Sequence, residues 1–356
     1  MPDLFDPLTL RGVTLRNRVG VAPMCQYRAV DGLPNDWHLV HLVSRAVGGN
    51  GIVITEATAV VPEGRISPGC TGLWNDEQTE AFARIAELIR EQGAVAAIQL
   101  GHAGRKASTK VPLEGGGPIA IDDGGWTTVA PSPMPFTDGF PRPHELTIEE
   151  IADLVAGFRA AAERALAAGV QLIELHGAHG YLMHSFHSPI SNRRTDAYGG
   201  DFAGRTRFTR EVVRATREVW PDELPLALRV SASDWIEGGW TIDDSVELAR
   251  GVREDGVDLI DCSSGGTAPG VDIPVEPGYQ VPFAERIRSE VDVATAAVGL
   301  ITEPSQARAI IVEEQADLVL MARESLRDPY WVRRAAVELE ATDRLDVPTS
   351  YGRAWA

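Results

Sequence analysis

The stretch that decides the fold is Val170-Gln-Leu-Ile-Glu-Leu-His-Gly-Ala-His-Gly-Tyr181. Its first six residues form a nearly continuous apolar run, as a parallel strand covered on both faces requires. Just before it, Thr147-Ile-Glu-Glu150 is a capping box that opens a helix running to Ala168, with Gly169 as its stop. Helix, glycine stop and buried strand together make one unit of an α/β fold. The strand then ends in His176, His179 and Tyr181, two imidazoles and a phenol. Imidazoles can hold a substrate oxygen, and a phenol can deliver a proton. Gly177 and Gly180 let the backbone bend there. Two blander readings stand beside this one. Glu174 shares a strand face with His176, so His-x-x-His with a carboxylate also suits a metal, and the histidines could be purely structural.

The same unit recurs in both directions. Short apolar runs occur at 18–22, 51–55, 94–99, 170–175, 226–230, 257–261, 293–298 and 316–321. Helical patterns separate them. Asp76 to Gln92 carries Phe82, Ile85, Ala86 and Ile89 at helical spacing, with Gly93 after it. Thr241-Ile-Asp-Asp244 opens another helix, and Thr302-Glu-Pro304 reads as a start with Thr302 as cap and proline in the first turn. Strand–helix alternation repeated eight times predicts a single (β/α)8 TIM barrel over residues 1–356. Leu8-Thr-Leu10 and Val13-Thr-Leu15 around Gly12 predict a hairpin closing the barrel floor. Gly101–Glu145, rich in Gly, Pro and Ser, is too long for an ordinary βα loop, and reads as an excursion after strand 3 over the active face. Residues 341–356 form a tail.

Net charge is −18, with 51 acidic against 33 basic residues. Such a surface repels nucleic acid and anionic membrane, so neither is expected as a partner. Cys25, Cys70 and Cys262 are widely spaced and odd in number, which predicts no disulfide framework and a reducing, cytoplasmic setting. No signal peptide and no membrane span are read.

Active sites of such barrels sit at the strands' C-terminal ends. Those ends supply Pro23-Met24-Cys25, Glu56-Ala57, Gln99, His176, Arg229, Ser263-Ser264-Gly265, Gly299 and Arg323. Gly299-Leu-Ile-Thr302 leads into a helix start, and Arg323 follows the eighth strand. Backbone N–H groups plus a guanidinium at those two strands predict a phosphate site. Gln99 can pair with a heterocycle edge and Arg229 can face an electron-rich ring. Phosphate, amide, guanidinium and phenol together describe a flavin mononucleotide (FMN) pocket.

Nearly the whole chain, from Leu4-Phe-Asp-Pro-Leu8 to Tyr351-Gly-Arg353, resembles the Old Yellow Enzyme family of FMN-dependent ene-reductases, in its thermophilic-like branch. The strings that carry the likeness are Arg16-Asn-Arg18, Ala22-Pro-Met-Cys25, Gln99-Leu-Gly-His-Ala-Gly-Arg-Lys106, His176-Gly-Ala-His-Gly-Tyr181, Ser188-Pro-Ile-Ser-Asn-Arg-Arg-Thr-Asp196 and Tyr198-Gly-Gly200. The resemblance implies non-covalent FMN, with NADPH or NADH as hydride donor. It implies Ala22, Pro23, Met24, Cys25, Ala57, Gln99 and Arg229 around the isoalloxazine, and Gly299, Ala322 and Arg323 at the phosphate. His176 and His179 would bind the oxygen of an activated alkene, Tyr181 would protonate its α-carbon after hydride transfer from flavin N5 to the β-carbon, and Tyr27 would face the substrate. Arg353 would reach a neighbouring subunit's active site in a homodimer or dimer-of-dimers. One departure is Ala322-Arg323, where the branch has Gly-Arg. Rival readings are a larger relative with an iron–sulfur cluster, for which three scattered cysteines cannot supply the ligands, a non-catalytic flavin-binding barrel, and a metal-dependent hydrolase.

Overall fold

A computed structural model describes residues 2–355; Met1 and Ala356, the two ends of the expected single domain, lie outside it. The barrel strands are β1 (Val19–Val21), β2 (Ile52–Ala59), β3 (Val95–Gly101), β4 (Leu172–Gly177), β5 (Leu226–Ser231), β6 (Leu259–Ser263), β7 (Ala294–Ala297) and β8 (Leu318–Met321). They pair in parallel, in sequence order, and β8 closes on β1. The helices α1 (Asp36–Val47), α2 (Asp76–Glu91), α3 (Ile148–Ala167), α4 (Phe202–Arg217), α5 (Ile242–Glu254), α6 (Val281–Val291), α7 (Pro304–Val312) and α8 (Trp331–Glu338) follow the strands in turn. The capping boxes expected at Thr147 and Thr241 are present. Thr302 is not a cap. Glu303 occupies that position without a side-chain hydrogen bond, and the Thr302 N–H is taken up by Gln306 Oε1 at 3.2 Å. Pro304, in the first turn, has no N–H to satisfy and a φ already set for the helix.

The hairpin Leu8–Leu10/Val13–Leu15 plugs the barrel floor. Leu8, Leu10, Val13 and Leu15 form one apolar cluster with the inward residues Ile52, Val95, Leu172, Ala227, Leu259 and Leu318. Gly12 is required in its turn, because a Cβ there would lie 2.9 Å from the Glu223 carbonyl oxygen. Alternation along the strands then carries polar side chains inward towards the open end. Gln99 pairs in register with Glu174, and His176 with Arg229, which in turn pairs with Asp261. An apolar floor under a polar top places the chemistry at the strands' C-terminal ends.

The excursion 101–145 follows β3 as expected. Arg105 and Lys106, at its start, reach the site. Its outer part packs beside the loop after β2, where Trp126 Nε1 donates to the Glu63 carbonyl at 2.8 Å. Arg194, from the most distinctive motif, ties it down by donating to the carbonyls of Pro131 (2.9 Å) and Leu146 (2.6 Å). Among the described residues, no helix is long and apolar enough to cross a membrane.

Candidate active site

The loop after β4 is held open by its neighbours. His179 has φ +61°, a left-handed conformation that a side chain adopts only when surroundings fix it. Its N–H donates to Ser231 Oγ (2.9 Å), and its carbonyl accepts from Lys106 Nζ (2.8 Å). Lys106 also donates to the Gly266 carbonyl at 3.0 Å and lies 5.2 Å above the Tyr181 ring. One ammonium thus joins the loops after β3, β4 and β6. Burial brings it down to about 8.

The three predicted groups converge. Ring centroids lie 5.2 Å apart for His176 and His179, and 5.0 Å apart for His176 and Tyr181. Burial, with Arg229 adding to it, pushes both imidazoles well below their ordinary value, so both are neutral at physiological pH. His176 Nδ1 accepts the Ala178 N–H (3.3 Å), which leaves the ring proton on Nε2 as a donor. His179 Nε2 lies 2.7 Å from Ser263 Oγ. Burial holds the Tyr181 phenol well above its ordinary value, so it keeps its proton. Tyr27, also left-handed at φ +56° and half-buried, is raised by burial too.

Below them is a charge cluster. Arg229 Nε sits 3.0 Å from Asp261 Oδ2, both buried, and Gln99 Nε2 donates to Glu174 Oε1 at 2.8 Å. Two buried carboxyls face one guanidinium, so both cannot ionise cheaply. Burial first, then the Asp261 carboxylate, raises Glu174 from 4.5 to about 8, and burial raises Asp261. Between those pH values the folded chain keeps a proton that the unfolded chain has lost. Stability therefore falls as pH rises through this window, by at most about 1.4 kcal/mol per pH unit. Glu174→Gln should flatten that slope, with its advantage over wild type growing towards pH 8 in thermal melts. Parallel melting curves for the two proteins would refute the assignment.

The cleft above the ends of β6 to β8 is ≈730 Å³ with its open mouth, and Arg229, Ser263, Gln280, Gly299, Ala322 and Arg323 contribute to its wall. Among the described residues, the N–H groups of Gly299, Leu300, Ala322 and Arg323 have no protein acceptor. A Cβ at Gly299, φ +126°, would lie 2.8 Å from Gln280 Nε2. A cradle of free N–H donors beside the Arg323 cation suits a phosphate monoester. Arg229, whose Nε faces Asp261, also contributes its guanidinium to the cleft wall, where a cation suits an electron-rich ring system. Ala22 is buried after β1, while Pro23, Met24, Cys25 and Ala57 are half-buried along the rim. A bulge in β2 between Ile54 and Ala57 brings Ala57 level with Gln99. This donor set fits FMN.

Arg353 is not brought to this cleft. It is exposed on the short helix Gly352–Trp355. Tyr351 Oη lies 3.4 Å from Tyr330 Oη, and Trp355 lines a hollow with Arg333, Leu345 and Val347. Gln280, Lys106 and Asp261 were missed as site residues, and Glu174 was weighed only as a metal ligand. Gln280 precedes α6 rather than ending a strand; the inward register of Glu174 and Asp261 was the usable signal.

The chain belongs to the NADH:flavin oxidoreductase / NADH oxidase family, whose pattern matches residues 3–342. It is similar to the NADPH dehydrogenase of Bacillus velezensis, at 47% identity over 99% of both chains. Morphinone reductase in complex with tetrahydroNAD superposes with a TM-score of 0.79 and 27% identity, covering 96% of this chain and 92% of that one. The old yellow enzyme homologue from Zymomonas mobilis gives 0.79 at 24% identity, covering 95% and 93%. A 2-naphthoyl-CoA reductase gives 0.85 at 24% identity, and this chain spans 97% of itself but 53% of that protein; these last two likenesses concern the fold. The protein is thus an enzyme of the NADPH dehydrogenase type, with FMN as cofactor and a reduced nicotinamide nucleotide as hydride donor.

Proposed function

We propose that this enzyme reduces the C=C bond of activated alkenes: enones, enals, maleimides and nitroalkenes. The observation that carries the reading is the neutral His176, with its proton on Nε2, packed edge-on against a phenol that has no protein partner among the described residues. When bound, FMN supplies the hydride for the β-carbon, having received it from the nicotinamide. Gly299, Leu300, Ala322 and Arg323 hold its phosphate, and Ala22 to Cys25, Ala57, Gln99 and Arg229 line its ring. His176 donates Nε2–H to the substrate's carbonyl or nitro oxygen and stabilises the charge that develops there. Ser263 has one proton and two acceptors in reach, His179 Nε2 at 2.7 Å and Gln280 Oε1 at 3.4 Å. His179 Nε2 is engaged by Ser263, so Nδ1 is the nitrogen left to face the substrate, and we assign it the ring proton as the second donor. Tyr181 gives its proton to the α-carbon, and Tyr27 borders the substrate. The test is direct. Heat-released chromophore should run as FMN on chromatography, and NADPH-reduced protein should be reoxidised by cyclohexenone under anaerobic conditions. Failure of cyclohexenone, a maleimide and a nitroalkene alike to reoxidise it would overturn the substrate class.

The tail is proposed to act between subunits of a homo-oligomer, with Arg353 beside a neighbour's substrate. Aromatic residues flanking one arginine are the make-up of interface hot spots. Truncation after Val347 should raise KM for enones and loosen the oligomer. Unchanged kinetics with unchanged mass in solution would show that the tail is idle.

A further inference from the structure

A second constellation runs back from the proposed flavin wall at Cys25 to Glu56 and Cys70, which have no role in the reaction above. Among the described residues, one trio of metal-ligating side chains is close enough to share an ion. It comprises Cys25 Sγ, Cys70 Sγ and a Glu56 carboxylate oxygen, all within 4.8 Å of one another. The fold assembles it from three segments. Cys25 follows β1, Glu56 sits in the bulge of β2, and Cys70 lies in the loop after β2. That loop is clipped back onto the barrel by Ala29 N–H to the Gly69 carbonyl (2.9 Å), Ala59 N–H to the Thr71 carbonyl (3.0 Å) and Leu73 N–H to the Ala59 carbonyl (2.9 Å).

The carboxylate is oriented from behind. Its Oε2 accepts the Gln26 N–H at 3.2 Å, and its Oε1 lies 3.1 Å from His38 Nε2. Glu56 and His38 are buried at 3% and 2% exposure, and neither Oε1 nor Nε2 has an aligned hydrogen bond. A buried carboxylate beside two thiols is a donor set for a thiophilic cation. Cys70 is 1% exposed, whereas Cys25 is half-buried at the rim.

We propose that Cys25, Cys70 and Glu56 form a binding site for one thiophilic divalent cation, Zn²⁺ or Cd²⁺, with His38 as the outer partner of the carboxylate. Two thiolates and one carboxylate are ligands for such ions, and three protein donors leave a fourth position open. Loading releases both thiol protons to solvent and forms two metal–sulfur bonds, with no change in oxidation state. The histidine behind the carboxylate is the usual device for fixing a ligand's orientation. Cys25 is also part of the proposed flavin wall. A cation held there therefore restrains the wall and should slow the oxidoreductase. That consequence rests on the proposed function; the site itself does not.

The test is a cadmium titration of the flavin-loaded protein, reduced with a phosphine and stripped with a chelator. The thiolate-to-cadmium ultraviolet difference band should saturate at one ion per chain, with Zn²⁺ competing. Cys70→Ser and, independently, Cys25→Ser should each weaken binding on the order of a hundredfold, and Glu56→Gln about tenfold. Cys262→Ala, remote from the trio, should bind as wild type does. Circular dichroism and the flavin spectrum confirm that each variant is folded, and Zn²⁺ should slow NADPH oxidation by wild type but not by Cys70→Ser. The proposal is overturned if wild type shows no saturable band at one Cd²⁺ per chain, or if both cysteine variants keep it. Metal count is read without turnover, so a failed alkene assay would leave this result standing.

Discussion

Tyr181→Phe should slow reoxidation of the reduced enzyme by cyclohexenone by roughly 10²–10⁴-fold, the usual contribution of a placed general acid. Reduction by NADPH should stay close to wild type, since no proton is delivered to carbon in that half. The phenol is well placed for this. Burial keeps it protonated, and no protein acceptor among the described residues takes its hydrogen. Phenylalanine keeps the edge-on packing against His176, 5.0 Å between centroids, so the change removes the proton and little else. Stopped-flow measurement of the two half-reactions separates the cases. Equal slowing of both would reduce Tyr181 to a structural role. Nitroalkenes with acidic α-positions should suffer less than enones, because solvent can supply their proton.

Arg229→Met should produce the largest loss of stability. In wild type the guanidinium is buried 3.0 Å from Asp261, with the Glu174 carboxyl close by. Removing one partner of a buried pair leaves an uncompensated charge and costs about 3–5 kcal/mol. The carboxyls can escape part of this by taking up protons, and burial already biases both that way. Their raised values mean that protonation is available below the window and withdrawn as pH rises. The deficit should therefore be smaller near pH 5 than near pH 8. Denaturation midpoints at both pH values measure it. A second change, Asp261→Asn, should recover part of the loss at pH 8, because it removes the stranded charge. The single variant should also retain FMN poorly. Equal midpoints for Arg229→Met and wild type at pH 8 would refute the account.

Much of this protein is determined by local sequence. Eight apolar runs and the helices between them set the barrel, because buried parallel strands and amphipathic helices each leave a periodic trace. Thr147 and Thr241 show their caps within four residues. The predicted strand-end residues Ala57, Gln99, His176, Arg229, Gly299 and Arg323 do meet at one face, since barrel topology converts a position at the end of a strand into a position in space. Other features were closed to a one-dimensional reading. Thr302 looked like a cap, yet the turn after β7 gives its N–H to Gln306. Glu174 and Asp261 lie far apart in sequence and meet only because parallel register places both beside Arg229. The same holds for Cys25 and Cys70, which read as scattered thiols until the loop after β2 folds back beside β1. The sequence by itself determined which elements form and which residues end the strands, because those follow from periodicity and caps. Only the tertiary structure decided which buried charges share a space, and hence who holds the proton, because desolvation and Coulomb energy depend on distance through space.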